Sequence, residues 1–505
     1  MNYGAISAGS KEAVDTAKQI LKNGGNAFDA GVAAVFTSMT SEFALTGAGG
    51  GGIMMGMDSK SKPYIYDFFV DCPKIVNKNS DFKKISVDFG NTTQFFHIGM
   101  GSTAIPGNIA GLLDIHKEKG RLPLEAILEP AIHIAQNGIT LSKYQAYINQ
   151  LIEPILTYTD EGKKLFIKNN SFLKEGDTFK NINFSNFLKL ISNEGKDFFY
   201  KGDGAEVVSN FYKSSGYINK QNLLNYKTKI RIPTSIQIGE YTVFTNPAPS
   251  YGGSLMIFLL KLLKESNQLD SDIITLIKAM ELTSIARNEV CVDSKNEMEI
   301  EQVLNNPIFD KYLKNFNDDL IKGNASKLSG FGSTTHISII DKKYNVFSMT
   351  TTNGEGCGHF IPEFGIMMNN MLGEEDLNPY GYHKWKTIRR LPTMICPTVV
   401  LKNNRPEFIL GSGGSNRIRS AITQVLLNLI VKNMSLDKAI EYPRIHLEGN
   451  ELYCEPGITI PDEKYLEHLK ITNFESKSLF FGGVNCVTPN EAIGDQRRGG
   501  IGKIF

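Results

Sequence analysis

Ser329-Gly330-Phe331-Gly332-Ser333-Thr334-Thr335-His336-Ile337-Ser338-Ile339-Ile340-Asp341 joins two unlike kinds of sequence. Its first five residues are small and turn-forming. From Thr335 to Ile340 polar and apolar side chains alternate. Asp341-Lys342-Lys343-Tyr344-Asn345 then turns the chain, and Val346 to Thr352 alternates again, which predicts a strand hairpin. Further strands are expected at Pro397 to Leu401 and Glu407 to Leu410. A long helix, Ser415 to Val431, follows Gly411-Ser412-Gly413-Gly414.

Upstream of this stretch the chain reads as mostly helical. Ser10 is positioned as an N-cap for Ala13, Val14, Ala17, Ile20 and Leu21 at helical spacing. A second helix of small residues runs from Asn26 to Met39. Gly111 to Lys119, Leu124 to Gln136, Leu255 to Glu265 and Asp272 to Ala286 share the 3.6-residue period. Residues 159 to 232, rich in Lys, Asn and Asp, read as a surface elaboration. Strands and helices come in blocks rather than strict alternation, so layered sheets flanked by helices are favoured over a doubly wound parallel sheet.

Composition narrows the function. Lys and Arg number 54 against 53 Asp and Glu, a net charge of +1, which argues against nucleic acid or a membrane surface as the main partner. The six cysteines, Cys72, Cys291, Cys357, Cys396, Cys454 and Cys486, form no CxxC pair and read as buried thiols rather than a disulfide or zinc framework. No apolar run reaches the length of a membrane span. Met1-Asn2-Tyr3 leads almost at once into a helix signal, so the chain is expected to be cytoplasmic, or already trimmed of a leader. The glycines from Gly47 to Gly52 follow a helix and precede a strand, the reverse of a phosphate-binding loop, and suit close backbone packing instead.

Among catalytic devices, a GxSxG elbow is absent and the eight histidines form no HExxH or similar pair. What remains is the Thr334-Thr335 pair. A threonine hydroxyl needs a base beside it. A cut just before Thr334 would create one on the same residue, an α-amine titrating at about 7.7–8.0. One hydroxyl among Thr350, Thr351 and Thr352 on the return strand could orient that amine. Gly413-Gly414, ahead of a helix, could offer backbone N–H groups to an oxyanion. Paired threonines also open many ordinary strands.

Thr334-Thr335-His336-Ile337-Ser338-Ile339-Ile340-Asp341 resembles the TTHxSxxD sequence that begins the small subunit of γ-glutamyltranspeptidases. Gly24-Gly25-Asn26-Ala27-Phe28-Asp29-Ala30 is similar to that family's GGNAxDA, and Gly47 to Gly52 to its GxGGGG. Ile105-Pro106-Gly107 and Asn246-Pro247-Ala248-Pro249-Ser250-Tyr251-Gly252-Gly253 have family counterparts. So do Asn353-Gly354-Glu355-Gly356-Cys357-Gly358, Gly365 to Asn370, Pro443-Arg444-Ile445-His446 and Asp495-Gln496-Arg497-Arg498-Gly499-Gly500, in the same order.

The resemblance implies an α+β fold, a four-layer αββα sandwich of the N-terminal-nucleophile hydrolases, with a large helical N-terminal part. It implies a precursor that cuts itself between Ser333 and Thr334, so that residues 1–333 and 334–505 form one interwoven unit. Carried over by position, Thr334 is the nucleophile and its freed amine the base, Thr352 holds the amine, and Gly413 and Gly414 form the oxyanion hole. No cofactor and no metal is called for. The implied activity is cleavage of γ-glutamyl amides such as glutathione through an acyl-enzyme, with water or an amino acid or peptide as acceptor.

The substrate contacts depart from the pattern. Phe69, in Asp67 to Pro73, stands where the family's GRExxP segment places an arginine against the substrate α-carboxylate. Pro392-Thr393 replaces paired serines, with Thr393 left to face substrate. Glu374 stands in for the aspartate that meets the substrate amine, and Gly354 for an asparagine. The segment from Glu374 to Pro392 is shorter than in members with a lid loop. Hydrolysis is therefore expected over transfer. An acylase for another amide, glutaryl- or cephalosporin-acylase-like, is the alternative within enzymes. A binding protein that kept the fold without the activity is the alternative outside them.

Overall fold

The computed structural model describes residues 3–59, 61–74, 80–88, 93–291, 299–318, 333–378, 381–385, 389–462 and 464–505. The expected turn from Ser329 to Gly332 lies outside these residues, as does the side chain of Cys291. Thirteen strands build the frame: β1 Gly4–Ala8, β2 Gly51–Met57, β3 Tyr64–Phe68, β4 Lys229–Arg231, β5 Thr234–Ile238, β6 Tyr241–Thr245, β7 Thr335–Asp341, β8 Val346–Thr352, β9 Thr398–Lys402, β10 Arg405–Gly413, β11 Gly483–Val487, β12 Ala492–Ile493 and β13 Ile501–Ile504. One sheet has the order β4-β3-β2-β8-β7-β1-β13, the other β5-β6-β9-β10-β11-β12. Neighbouring strands in both sheets are antiparallel.

The two sheets pack face to face through Ile53, Met55, Ile340, Val346, Val399, Ile409 and Val487. Helices cover both outer faces. On the first sheet lie α1 Lys11–Lys22 and α2 Ala27–Ser41, joined in one core to α3 Asn108–Lys119, α4 Leu124–Asn137 and α5 Ile182–Glu194. On the second lie α6 Tyr251–Glu265, α7 Ile273–Cys291 and α8 Arg417–Ile430. The result is the expected αββα sandwich. Among the described residues no helix is long and apolar enough to cross a membrane.

The helix starts follow their caps. The Ser10 hydroxyl accepts from the Ala13 N–H at 3.4 Å, and Asn26 with Asp29 forms a reciprocal capping box on α2. All of α2 is buried, because it lies beneath α1 and α4 as well as on the sheet. Residues 159–232 are more than a surface elaboration. Phe184, Phe187, Leu188, Ile191, Phe199 and Tyr212 lie in the same core as α2. The polar residues between them conceal this, since each short helix buries only one face. The five cysteines with described side chains are buried and unpaired.

Strand parity places the chemistry. Side chains alternate across a sheet, so Thr334, His336, Ser338 and Ile340 point one way and Thr335, Ile337 and Ile339 the other. Ile337 and Ile339 join the helix-facing core, whereas Ile340 joins the core between the sheets. β7 and β8 are in register with Thr335 opposite Thr351 and His336 opposite Thr350. Thr334 and Thr352 therefore share the inward face at one end of the sandwich, where β10 also ends.

Candidate active site

Thr334 is 4% exposed and lies directly ahead of β7. Gly413, the last residue of β10, packs against it: a Cβ at Gly413 would overlap the Thr334 carbonyl oxygen, so only glycine permits this approach. Gly414 continues with φ +123°, a left-handed conformation that glycine tolerates, and the chain enters α8 three residues later. The Arg498 guanidinium lies beside both glycines.

Ser333 is held through both of its backbone polar groups. Thr352 Oγ donates to the Ser333 carbonyl oxygen at 2.5 Å and accepts from the Gly354 N–H at 2.9 Å. The Ser333 N–H donates to Glu355 Oε1 at 3.2 Å. Of the three threonine hydroxyls expected near the site, Thr352 alone serves this junction. Thr350 Oγ1 is 2.7 Å from His336 Nδ1, and Thr351 Oγ1 is 2.9 Å from that of Thr46 on the helix side. In the uncut chain Thr352 thus engages the Ser333 carbonyl, and Gly413 touches the carbonyl on the far side of Thr334.

Gly354 adopts φ +60°, and a side chain there would overlap Asn370 Oδ1 and Glu374 Oε1. Its contribution is backbone only, the N–H on Thr352. Glu374 fills the space that a side chain at Gly354 would need. The pocket beside Thr334 and Thr352 is lined by Phe69, Met371, Glu374, Leu377, Thr393, Met394, Ile395, Ser415 and Ile418, and encloses about 20 Å³. That is room for about one water molecule. Thr393 is fixed by its carbonyl, which accepts from the Tyr251 and Gly252 N–H groups at the start of α6.

Three carboxyls crowd this end of the sandwich. Burial pushes Glu355 up to about 8. Burial, then the neighbouring Glu355 and Asp376 charges, hold Glu374 well above the usual carboxylate range. Asp376 is also raised by burial, although the Arg287 charge and a bond from Ser415 Oγ at 2.9 Å oppose this. His336 goes the other way. Buried between Thr350 and Ser338, it is pushed down to about 3 and stays neutral.

Arg390 is unavailable to a substrate, since its guanidinium bonds Asp67, Asp71 and the Lys227 carbonyl. Arg389 lies over Trp385, with its guanidinium carbon 3.8 Å from the ring centre. Sequence reading missed Glu355, Ser415 and Arg498. Each lies within or next to a quoted motif, but the place of each beside the site depends on packing between segments that are not neighbours in sequence.

The profile of the family described as Gamma-glutamyltranspeptidase matches residues 13–503. The Capsule biosynthesis protein CapD proenzyme of Bacillus anthracis is 28% identical over 99% of this chain and 90% of its own length. A Glutathione hydrolase proenzyme of Pseudomonas aeruginosa is 27% identical over 100% of this chain and 95% of its own. A cephalosporin acylase from Bacillus halodurans superposes with a TM-score of 0.84 at 22% identity, covering 100% of this chain and 96% of that one, a likeness of fold.

Proposed function

This chain belongs to the gamma-glutamyltranspeptidase family, and from that premise we propose that it is a precursor which cuts itself before Thr334 and then uses Thr334 as an N-terminal nucleophile. The observation that carries this reading is the short bond from Thr352 Oγ to the Ser333 carbonyl. That carbonyl is polarised by a buried hydroxyl and is bonded to the nitrogen of the threonine whose Oγ attacks it, so attack closes a five-membered ring. Thr334 Oγ adds to that carbonyl and the Ser333–Thr334 C–N bond breaks. The hydroxyl proton passes to the Thr334 nitrogen. Water then cleaves the resulting ester, leaving a Ser333 carboxylate and a free Thr334 amine and hydroxyl.

In the mature form the amine takes the Thr334 Oγ proton, and the oxygen attacks the carbonyl of a donor amide. Gly413 and Gly414 N–H groups receive the oxyanion, and the leaving amine accepts the proton. Thr352, freed from Ser333, holds the Thr334 amine. Water or an amino acid or peptide acceptor then takes the acyl group. The cut chains 1–333 and 334–505 remain together.

The donor is a γ-glutamyl amide of the glutathione kind. Glu374 and Thr393 line the pocket beside the nucleophile. An arriving ammonium would favour the ionised form of Glu374. The rest of the lining favours a second reading, an acylase for an amide without an α-carboxylate. Phe69, Met371, Leu377, Met394, Ile395 and Ile418 make it apolar, and the described lining contains no lysine or arginine. Both readings favour hydrolysis over transfer.

The test is purification, intact-mass measurement, and assay of the product on a panel of γ-glutamyl and simple acyl amides. The expected result is a new N-terminus Thr-Thr-His-Ile-Ser, with turnover only in the cut form. A break elsewhere, or a fully active uncut chain, would sink the mechanism.

A further inference from the structure

One buried titratable group touches the Ser333–Thr334 junction without a part in the turnover described above. Glu355 is 1% exposed and follows the left-handed Gly354 in the loop after β8. Its Oε1 accepts from the Ser333 N–H at 3.2 Å, and its own N–H donates to Asn370 Oδ1 at 3.0 Å. Its second oxygen, Oε2, has no hydrogen-bond partner among the described residues. A carboxyl is costly to bury half-satisfied, and an amide, a hydroxyl or an apolar side chain would cost less. What Glu355 has in return is its grip on the residue that supplies the carbonyl to be attacked.

The two holds on Ser333 come from one short turn. Thr352 takes the carbonyl and Glu355 the N–H. The left-handed Gly354 and the Gly356 N–H to Asn353 carbonyl bond (3.2 Å) set the distance between them. With the carbonyl alone held, the Ser333–Thr334 peptide could still swing about that contact. The Ser333 N–H belongs to the preceding peptide unit, so the second hold anchors the backbone on the other side of the Ser333 Cα and narrows the range of ψ over which the carbonyl can turn relative to the Thr334 hydroxyl. Misplacement of a reacting group by about 1 Å costs on the order of 100-fold in rate.

We propose that Glu355 is a positioning residue for self-cleavage, anchoring Ser333 through its N–H so that the scissile carbonyl on the other side of its Cα is presented to Thr334. The proposal rests on the reading that Thr334 attacks Ser333. It adds no bond-making step, because Glu355 does no more than accept a hydrogen bond from the Ser333 N–H. The requirement is an oxygen acceptor at that distance, not a charge.

Glutamine keeps an oxygen acceptor at the same reach and removes the ionisable carboxyl. Aspartate keeps the carboxyl and draws the acceptor back by one methylene, and alanine removes both. Conversion of full-length protein into two chains is followed by intact mass in the wild type and in Glu355→Gln, Glu355→Asp and Glu355→Ala. The thermal transition of each uncut chain is measured in a Thr334→Ala background. The expected order is Gln within about threefold of wild type, with Asp and Ala slower by about 10- to 100-fold at similar thermal stability. Should alanine fail to fold, the glutamine and aspartate pair decides alone. Wild-type conversion combined with Asp and Ala variants that convert equally fast overturns the proposal and leaves the Thr334 reading standing. A Gln variant as slow as Asp also overturns it, since the ionisable carboxyl rather than an oxygen acceptor would then be what matters. A wild-type chain that never converts removes the Thr334 reading itself, and this proposal with it.

Discussion

Replacing Thr352 by alanine tests the maturation step most directly. A hydroxyl has one proton, and the Thr352 oxygen already accepts from the Gly354 N–H, so its proton is committed to the Ser333 carbonyl at 2.5 Å. As Thr334 Oγ adds, that carbonyl oxygen becomes an oxyanion and the bond strengthens. Deleting one such donor costs about 10²- to 10³-fold in rate, roughly 2.7–4 kcal/mol of barrier. The ground-state cost is separate. Thr352 is 8% exposed, and loss of one methyl and two hydrogen bonds there costs about 2–3 kcal/mol, below the roughly 5–15 kcal/mol that holds a folded domain. Thr352→Ala should therefore fold, yet convert to two chains at least about 100 times more slowly than wild type. Intact mass over hours to days measures this, with the thermal transition as the folding control. Thr352→Ser, which keeps the hydroxyl, should convert within about tenfold of wild type. An alanine variant maturing at the wild-type rate, or a serine variant as slow as alanine, refutes the role given to this hydroxyl.

Thr334→Ala should persist as one chain under conditions in which the wild type is fully cut; any cleavage at the same bond in that variant counts against an intramolecular nucleophile. In mature protein kcat/KM should rise with pH through about 7.7–8.0 as the Thr334 amine loses its proton. His336→Gln should keep that rise, because the folded state holds His336 neutral down to about 3. The same histidine makes folding pH-dependent. The unfolded chain binds a proton below about 6.5 that the folded chain excludes, so this group's contribution to stability is complete above 6.5 and falls, by roughly 1.4 kcal/mol per pH unit, as pH drops toward 3. Denaturant titrations of wild type and His336→Gln should diverge in that window, and parallel curves would show the ring is not desolvated. Phe69→Arg should raise kcat/KM for glutathione relative to its decarboxylated analogue by about 10- to 150-fold, the worth of one charge-assisted bond. No change in that ratio would mean the α-carboxylate lies elsewhere.

The Thr334 strand, its return strand and the Gly413-Gly414 turn were legible because period-2 alternation and glycine-rich turns are local signals. Parity alone then places Thr334 and Thr352 on one face. The role of Thr352 in the uncut chain was not legible, since its contact is with the residue before the strand rather than with an amine that does not yet exist. Glu355 read as one polar residue in a turn. Its burial follows from the meeting of the β8 loop, Asn370 and Ser333, which lie far apart in sequence and carry no periodic signature. The aromatic interior of residues 159–232 escaped for a related reason: lysine and asparagine on the outer faces of short helices mask the buried faces.

The strand order of the first sheet has a consequence for when the cut can occur. Reading across β4-β3-β2-β8-β7-β1-β13, the strands come from before residue 334, then after it, then before, then after again. While the chain is continuous, covalent linkage keeps these strands at an effective concentration of about millimolar, and refolding is first order. Once it is severed, refolding becomes a second-order reunion of two fragments, neither of which can complete the sheet. Dilution then slows recovery, which it does not do for the continuous chain. On the proposed mechanism, maturation is a one-way clock: the peptide bond would survive until the strands are laid down, and breaking it would exchange reversible folding for an enzyme whose lifetime is set by how rarely it opens.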